Sequence, residues 1–245
     1  MHAFGSSIRS RLVLLVLVAT LPMLVFSAAL LQHAYRVSAG LVETSALGAA
    51  RRVAVSVDAL IGRAEAVGYA LAELPSSDIT DFSEFEVAAT RALSAAGLDS
   101  ALAVIDRDGN VVAHTLRIPG EALGITDDLD SVHRVFETGQ PQVSGLFIGP
   151  HTHQPQVAVQ VPVLRDGHVR YAVAVMLSAR LLGANAAADA LPDRWFGLIA
   201  DRTGRLIIDT ADPVASIGQR VSPGLTSLVA DRKEGFGSTR TRRKR

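Results

Sequence analysis

Residues 104–115 read VIDRDGNVVAHT, and residues 198–210 read LIADRTGRLIIDT. In both, an apolar run meets an Asp-Arg-x-Gly turn, and a second apolar run ends in threonine. This is the pattern of an antiparallel hairpin, in which the glycine supplies the positive φ that the turn requires. Setting Asp106 on Asp201 also sets Arg107 on Arg202, Gly109 on Gly204 and Thr115 on Thr210, all at a constant offset of 95 residues. Farther on, SVHRVFETG from Ser131 to Gly139 meets SLVADRKEG from Ser227 to Gly235 at an offset of 96. A single hairpin of this type is common in β-rich proteins. Hairpin and helix recurring together at nearly one spacing predict two copies of a small domain rather than a short-period array.

The first copy is complete. ALAVI (101–105), the turn and VVAHT form two strands, and a helix follows around Asp127–Thr138. Next come a strand near Gln142–Ile148, the loop GPHTHQP, the long strand QVAVQVPVL, the turn RDGH and the strand VRYAVAVML. Ser178–Leu182 then opens a linking helix. Two strands, a helix and three antiparallel strands are the order of a PAS-like module, a five-stranded sheet with helices on one side. The second copy begins at Trp195, and where three strands should follow its helix the chain reads FGSTRTRRKR.

The N-terminal part carries different signals. LVLLVLVATLPMLVFSAALL runs from Leu12 to Leu31 without a charge, and about 20 apolar residues span the roughly 30 Å hydrocarbon core of a bilayer. Arg9 and Arg11 precede it and the next basic residue is Arg36, a bias that places the short N-terminus in the cytoplasm and the rest outside. The alternative is a cleaved signal peptide processed near the small residues Ser27–Ala29. Beyond the apolar run, Val53, Val57, Leu60, Ala64, Val67, Leu71 and Leu74 alternate steps of four and three, a heptad seam that Pro75 stops. Two readings of the seam are open: it packs on the protein's own sheet, or it pairs two chains as a parallel dimer. A shorter helix follows, with Asp81 and Glu84 as a capping pair. Its apolar face is Phe82, Phe85, Ala89, Leu93 and Ala96, and Gly97 ends it.

The expected fold class is therefore α+β: an N-terminal transmembrane helix, a long helix, then two tandem PAS-like modules, the second incomplete. In residue terms these are a cytoplasmic N-terminus (1–11), a transmembrane helix (12–32), a long helix (33–75), a membrane-distal module (76–190), a partial membrane-proximal module (191–239) and a basic tail (240–245).

Composition excludes several functions. Of 245 residues 49% are hydrophobic, enough to bury one large or two modest cores, and 24 basic residues balance 24 acidic ones. No overall field therefore selects for nucleic acid. The chain has no cysteine, which removes disulfides, thiolate catalysis and cysteine-bound zinc. There is no phosphate-binding glycine loop, H-E-x-x-H or G-x-S-x-G motif, so no enzyme and no cofactor is expected.

The long helix after an apolar segment, both hairpins, the GLFIGPHTHQPQVAVQVPVLRDGHVRYAVAVMLSARL block and SIGQRV together resemble the double Cache extracytoplasmic sensor domain of bacterial histidine kinases, chemoreceptors and diguanylate cyclases. The resemblance covers about residues 35–235. It implies a membrane-distal module that binds a small molecule under its sheet and a membrane-proximal module that passes the change inward. Amino-acid-binding members carry an Arg-x-Trp-Tyr cluster, a tyrosine on the next strand and an aspartate late in the last strand. Here only Arg134 can stand for the arginine, Phe147 falls near the tyrosine and Met176 near the aspartate, and no tryptophan or tyrosine lies between residues 101 and 170. An ammonium group buried beside Met176 would lack a counter-charge, so the expected ligand is a small anion or carboxylate held by Arg134 or His133.

The ligand-binding residues expected are thus His133, Arg134, Phe147 and Met176. Adjacent helix positions point apart, so one of His133 and Arg134 at most faces a pocket. His151 and His153 form an H-x-H, but no third ligand stands at a diagnostic spacing, so no metal is expected. Arg240–Arg245, with five cations in six residues, suits nucleic acid or a membrane surface. The outside topology argues against the former, and the missing strands suit a truncated or frame-shifted end. The expected function is the input part of a sensor histidine kinase or related receptor, with a small-molecule ligand, a membrane and a homodimer partner through the long helix. The rival is a membrane-tethered scaffold that binds another exported protein; a sealed first module would favour it.

Overall fold

The computed structural model describes residues 8–74, 82–117, 122–188, 195–212 and 215–224. The side chains of 8–19, 29, 33–44, 82–84, 187 and 188 lie outside the description. The chain divides into two compact units, residues 1–48 and 49–245. A single helix, α1 (Ile8–Ala72), runs through Pro22. Between residues 20 and 32 its described apolar side chains are exposed, among them Met23 at 73%, Phe26 at 66% and Leu31 at 75%. Among the described residues no helix is long and apolar enough to cross a membrane. The expected span, residues 12–32, includes side chains outside the described residues.

The second unit is a mixed α+β fold built on an antiparallel sheet. Helix α2 (Phe82–Ala95) precedes the hairpin β1 (Ala101–Ile105) and β2 (Val111–His114), then α3 (Leu129–Thr138). Two short strands follow, β3 (Gln142–Val143) and β4 (Phe147–Ile148), and then the long pair β5 (Pro155–Arg165) and β6 (His168–Ser178). Helix α4 (Ala179–Ala188) leads to a second hairpin, β7 (Leu198–Ala200) and β8 (Leu206–Asp209). The order across the sheet is β2-β1-β6-β5-β3, with β4 also on β5. Asp166 and Gly167 join β5 to β6 with φ of 51° and 77°, a two-residue turn whose twist suits a long hairpin.

Side-chain alternation gives the sheet two buried faces. Leu102 and Val104 of β1, Val157, Val159 and Val163 of β5, and Val173, Val175 and Leu177 of β6 join Val53, Leu60, Ala64, Val67 and Leu71 of α1 and Phe85, Ala89 and Leu93 of α2. Val57 and Leu74 pack against the same cluster. The seam thus packs on the protein's own sheet. The opposite face, with Ala101, Ala103, Ile105, Ala158, Ala174 and Met176, packs against Val132 of α3. Helices therefore cover both faces rather than one, because period-2 alternation of apolar residues on both sides of β1, β5 and β6 leaves neither face wet.

Local chemistry explains the element ends. The last turn of α1 has no basic residue, and Arg165, at the end of β5, donates to the carbonyls of Ala72 and Leu74, each at 3.0 Å, satisfying acceptors that a helix end leaves open. Gly97, with φ of 66°, follows α2, and the Leu98 N–H reaches back to the Leu93 carbonyl at 2.9 Å. The proposed Asp81 and Glu84 cap lies outside the described residues, as does the second repeat helix from Ser227.

The expected strand over 142–148 is broken. At Ser144 the N–H donates to the Ala158 carbonyl at 2.9 Å, but the Ala158 N–H turns to the Ser144 hydroxyl at 2.7 Å. A side-chain oxygen replaces the next ladder carbonyl, so residues 144–146 leave the sheet between β3 and β4.

The two hairpins share their strand-closing and main-chain turn hydrogen bonds at the offset of 95. Thr115 donates its N–H to Leu102 and accepts from the Leu102 N–H through its hydroxyl, as Thr210 does with Gly197. The ladder shifts between Val104 and Ile105 and, equivalently, between Ile199 and Ala200. The Thr126 N–H donates to Gly109 and the Val221 N–H to Gly204, both at 2.9 Å.

Candidate functional site

The register of the sheet builds the site. Met176 of β6 stands between Ala101 of β1 and Ala158 of β5, and Gln156 pairs with Ser178. All five side chains project to the α3 side, at the end of the sheet where β1 begins and β6 runs into α4. The small residues Ala101 and Ala158 leave room there. A cavity of about 330 Å3 opens above them, lined by Met176, Gln156 and Ser178 from the sheet, Asp99, Ser100 and Leu116 from the segments flanking the first hairpin, His151, Thr152 and Gln154 from the GPHTHQP loop, and Arg180 of α4.

The loop is folded tightly over this space. The Gly149 N–H donates to Gln154 at 2.9 Å and the His153 N–H to Gly149 at 2.8 Å. His153 takes a left-handed φ of 52° to close the turn. Gly149 is buried against Thr152 and Gln156, where a Cβ would overlap both side chains, and the Thr152 hydroxyl donates to the Gln156 amide oxygen at 3.2 Å. His151 rests on His114, ring centroids 4.4 Å apart and planes tilted by 48°. His114 is 5% exposed, and its Nδ1 accepts the Leu116 N–H at 3.0 Å. Burial, and then the charge of His151, lower its pKa from 6.5 to about 4, so the ring is neutral with its proton on Nε2.

Two polar atoms at the cavity are buried without a hydrogen-bond partner, His151 Nε2 and Ser100 Oγ. Asp99 and Arg180 add exposed charges of opposite sign. Unsatisfied buried groups of this kind cost stability, and a ligand or a water that completes their bonding recovers it. The site can therefore hold a small polar molecule, with anionic atoms toward Arg180 and donor atoms toward Asp99 or Gln156.

The expected residues fall unequally. Met176 lines the cavity. Phe147 packs against the apolar cluster of the same face. Arg134 is half-buried on α3, its guanidinium donating to the Ser131 hydroxyl at 2.8 Å while Nε has no partner; His133 is exposed. Neither is among the cavity's lining residues. Beneath α3, Gln160 donates to Asp128 at 3.1 Å. Burial pushes the Asp128 carboxyl above its usual value, partly offset by the Ser131 hydroxyl and N–H and the charge of Arg134. Sequence reasoning missed Asp99, Ser100, Gln156 and Arg180. Met176 offers an ammonium group no counter-charge, whereas Asp99, an exposed carboxylate, lines the same cavity. Among the described residues no group of three or more potential ligands could hold a metal ion.

No family model matches the chain, and no curated protein matches it. Solved structures share its fold. An extracellular ligand binding receptor from Desulfohalobium retbaense superposes with a TM-score of 0.62 at 17% identity, over 77% of this chain and 35% of that one. The chain thus spans about a third of that receptor's length. The ligand-binding domain of the Campylobacter jejuni chemoreceptor Tlp3, in complex with L-valine, gives a TM-score of 0.51 at 15% identity over 74% of this chain and 77% of that one. The sensor domain of the V. cholerae histidine kinase DctB gives 0.50 at 12% identity over 74% and 72%. At these identities the likeness is one of fold: the chain shares the fold of these ligand-binding sensor domains, in keeping with the fold that the resemblance to double Cache domains implies.

Proposed function

We propose that this chain is the input region of a membrane-anchored receptor, in which the module on β1–β6 binds a small polar molecule and passes the change inward. The observation that carries the reading is the cavity beside Met176, with unsatisfied polar groups of His151 and Ser100 and opposite charges at Asp99 and Arg180. A scaffold protein would be served better by a sealed module. The Tlp3 domain was solved with L-valine and a Pseudomonas aeruginosa chemoreceptor domain with GABA, so carboxylates and amino acids are the ligands to try. Arg180, with His151, takes the carboxylate role first expected of Arg134 or His133, and Phe147 supports the cavity face.

The apolar surface of α1 between residues 20 and 32 supports membrane anchoring, since a helix exposing Met23, Phe26 and Leu31 finds its partner in hydrocarbon. The module would then stand outside the cytoplasm, as the neighbours' description as extracellular suggests. A homodimer through α1 would use the helix face opposite the seam. The test is a thermal-shift screen of the full chain in detergent against amino acids and carboxylates. A ligand at 100-fold its Kd stabilises by about 2.7 kcal/mol. A saturable shift lost in Arg180→Ala and kept in Arg134→Ala supports the cavity; a shift lost only in Arg134→Ala moves the site beneath α3, and no shift with any compound favours the scaffold.

A further inference from the structure

The two hairpins share a backbone plan but differ in where the turn carboxylate points. In the first, Asp106 Oδ1 accepts the N–H groups of Asp108 and Asn110 at 3.0 and 2.8 Å, and Oδ2 accepts the Asn110 side-chain amide at 2.9 Å. That carboxylate is satisfied within its own turn. In the second, Asp201 Oδ1 accepts the N–H groups of Thr203 and Arg205 at 2.8 and 2.9 Å and the Thr203 hydroxyl at 2.7 Å. Arg205 stands where the first hairpin has Asn110, so Oδ2 has no amide of its own turn to meet. It accepts instead the N–H of Leu146 at 3.1 Å, and the Arg205 guanidinium donates to the Leu146 carbonyl at 3.4 Å.

Both main-chain groups of one residue are thus held from a turn 55 residues away. Leu146 lies in the break that Ser144 makes between β3 and β4, where the sheet ladder leaves these groups open. Its side chain is 5% exposed and belongs to the apolar cluster shared with Ile208 of β8. Gly145 allows the approach, since a Cβ there would stand 3.3 Å from Asp201 Oδ2. The next residue, Phe147, packs on the cavity side of the sheet. Burial opposes ionisation of Asp201, but the N–H groups and hydroxyl it accepts outweigh that and hold its carboxyl below the usual value, in keeping with a charge-assisted contact.

We propose that the Asp201–Arg205 turn is an inter-module clamp, which grips Leu146 so that the edge strand carrying Phe147 and the hairpin β7–β8 move as one body. Its use as a signal relay rests on the sensor reading above; the clamp itself is tested without ligand. Asp201→Asn keeps an acceptor for its own turn and presents a donor to the Leu146 N–H. Arg205→Asn restores the residue of the first hairpin, whose amide recaptures Oδ2. Amide hydrogen exchange is followed on the full chain in detergent. In both variants the Leu146 amide should exchange at least about tenfold faster, with the β7–β8 amides faster and the β5–β6 amides unchanged. Unchanged exchange at Leu146 overturns the clamp, and faster Leu146 exchange with β7–β8 unchanged overturns the coupling. Faster exchange throughout β5–β6 in both variants also overturns it, because the turn would then support the whole fold.

Discussion

Acidification should weaken the module that carries the cavity, and the histidine stack gives the magnitude. His114 is buried, receives the Leu116 N–H on Nδ1 and lies 4.4 Å from His151. Its pKa falls from 6.5 to about 4, through burial first and the charge of His151 second. A base that binds its proton more weakly when folded contributes stability that is complete above the unfolded value, 6.5, and is withdrawn as the pH falls through the window down to about 4. At about pH 4.5 the unfolded imidazole is charged and the folded one mostly neutral. With about 1.4 kcal/mol per pKa unit, on the order of 2–3 kcal/mol is lost relative to neutral pH. Urea unfolding of the full chain, followed by circular dichroism at about pH 7.5 and 4.5, measures the loss. His114→Asn keeps an acceptor for the Leu116 N–H but cannot titrate. Comparison with it cancels Asp201, which also weakens the fold in acid because its folded pKa is depressed, and Asp128, whose raised pKa acts in the opposite sense. If the variant loses as much stability on acidification as the parent, His114 is not the group responsible and the reasoning fails.

Two further substitutions test the packing. Gly68 of α1 lies against Val161, where a Cβ would stand 2.7 Å from Cγ2 and 3.1 Å from Cβ of the valine. Alanine gains about 1 kcal/mol in helix propensity but meets a branched side chain on a central strand. Gly68→Ala should therefore destabilise by about 1–2 kcal/mol in urea unfolding, and should recover most of that loss when added to Val161→Ala. Gly149→Ala pushes Thr152 and Gln156 apart at the cavity, and should weaken a ligand-induced thermal shift far more than it lowers the midpoint of the unliganded protein.

The repeat was legible because its chemistry is local. Asp106 and Asp201 cap their own turns, Gly109 and Gly204 take φ of 84° and 78°, and Thr115 and Thr210 close the strands. Each of these needs only residues within 13 positions. The break at Ser144 was not legible, since whether a serine hydroxyl replaces a carbonyl depends on the strand opposite. Nor was the cavity. Asp99, His151 and Arg180 carry no shared spacing, and only the pairing of Met176 with Ala101 and Ala158 brings their segments to one end of the sheet. The sequence reading chose Arg134 from a motif position, whereas its guanidinium turns to Ser131 on its own helix.

Periodicity, turn residues and the offset of 95 by themselves determined the mixed α+β class, the order of the first module's elements apart from the break at Ser144, and the duplication of the hairpin, because such patterns express short-range sterics and the burial of one face. Tertiary structure alone decided that the heptad seam faces the protein's own sheet, that helices cover both faces, and that the exchange of Asn110 for Arg205 turns a self-contained cap into a contact with Leu146. Those outcomes depend on which distant groups the sheet register places within about 3 Å of each other, a relation no local pattern encodes.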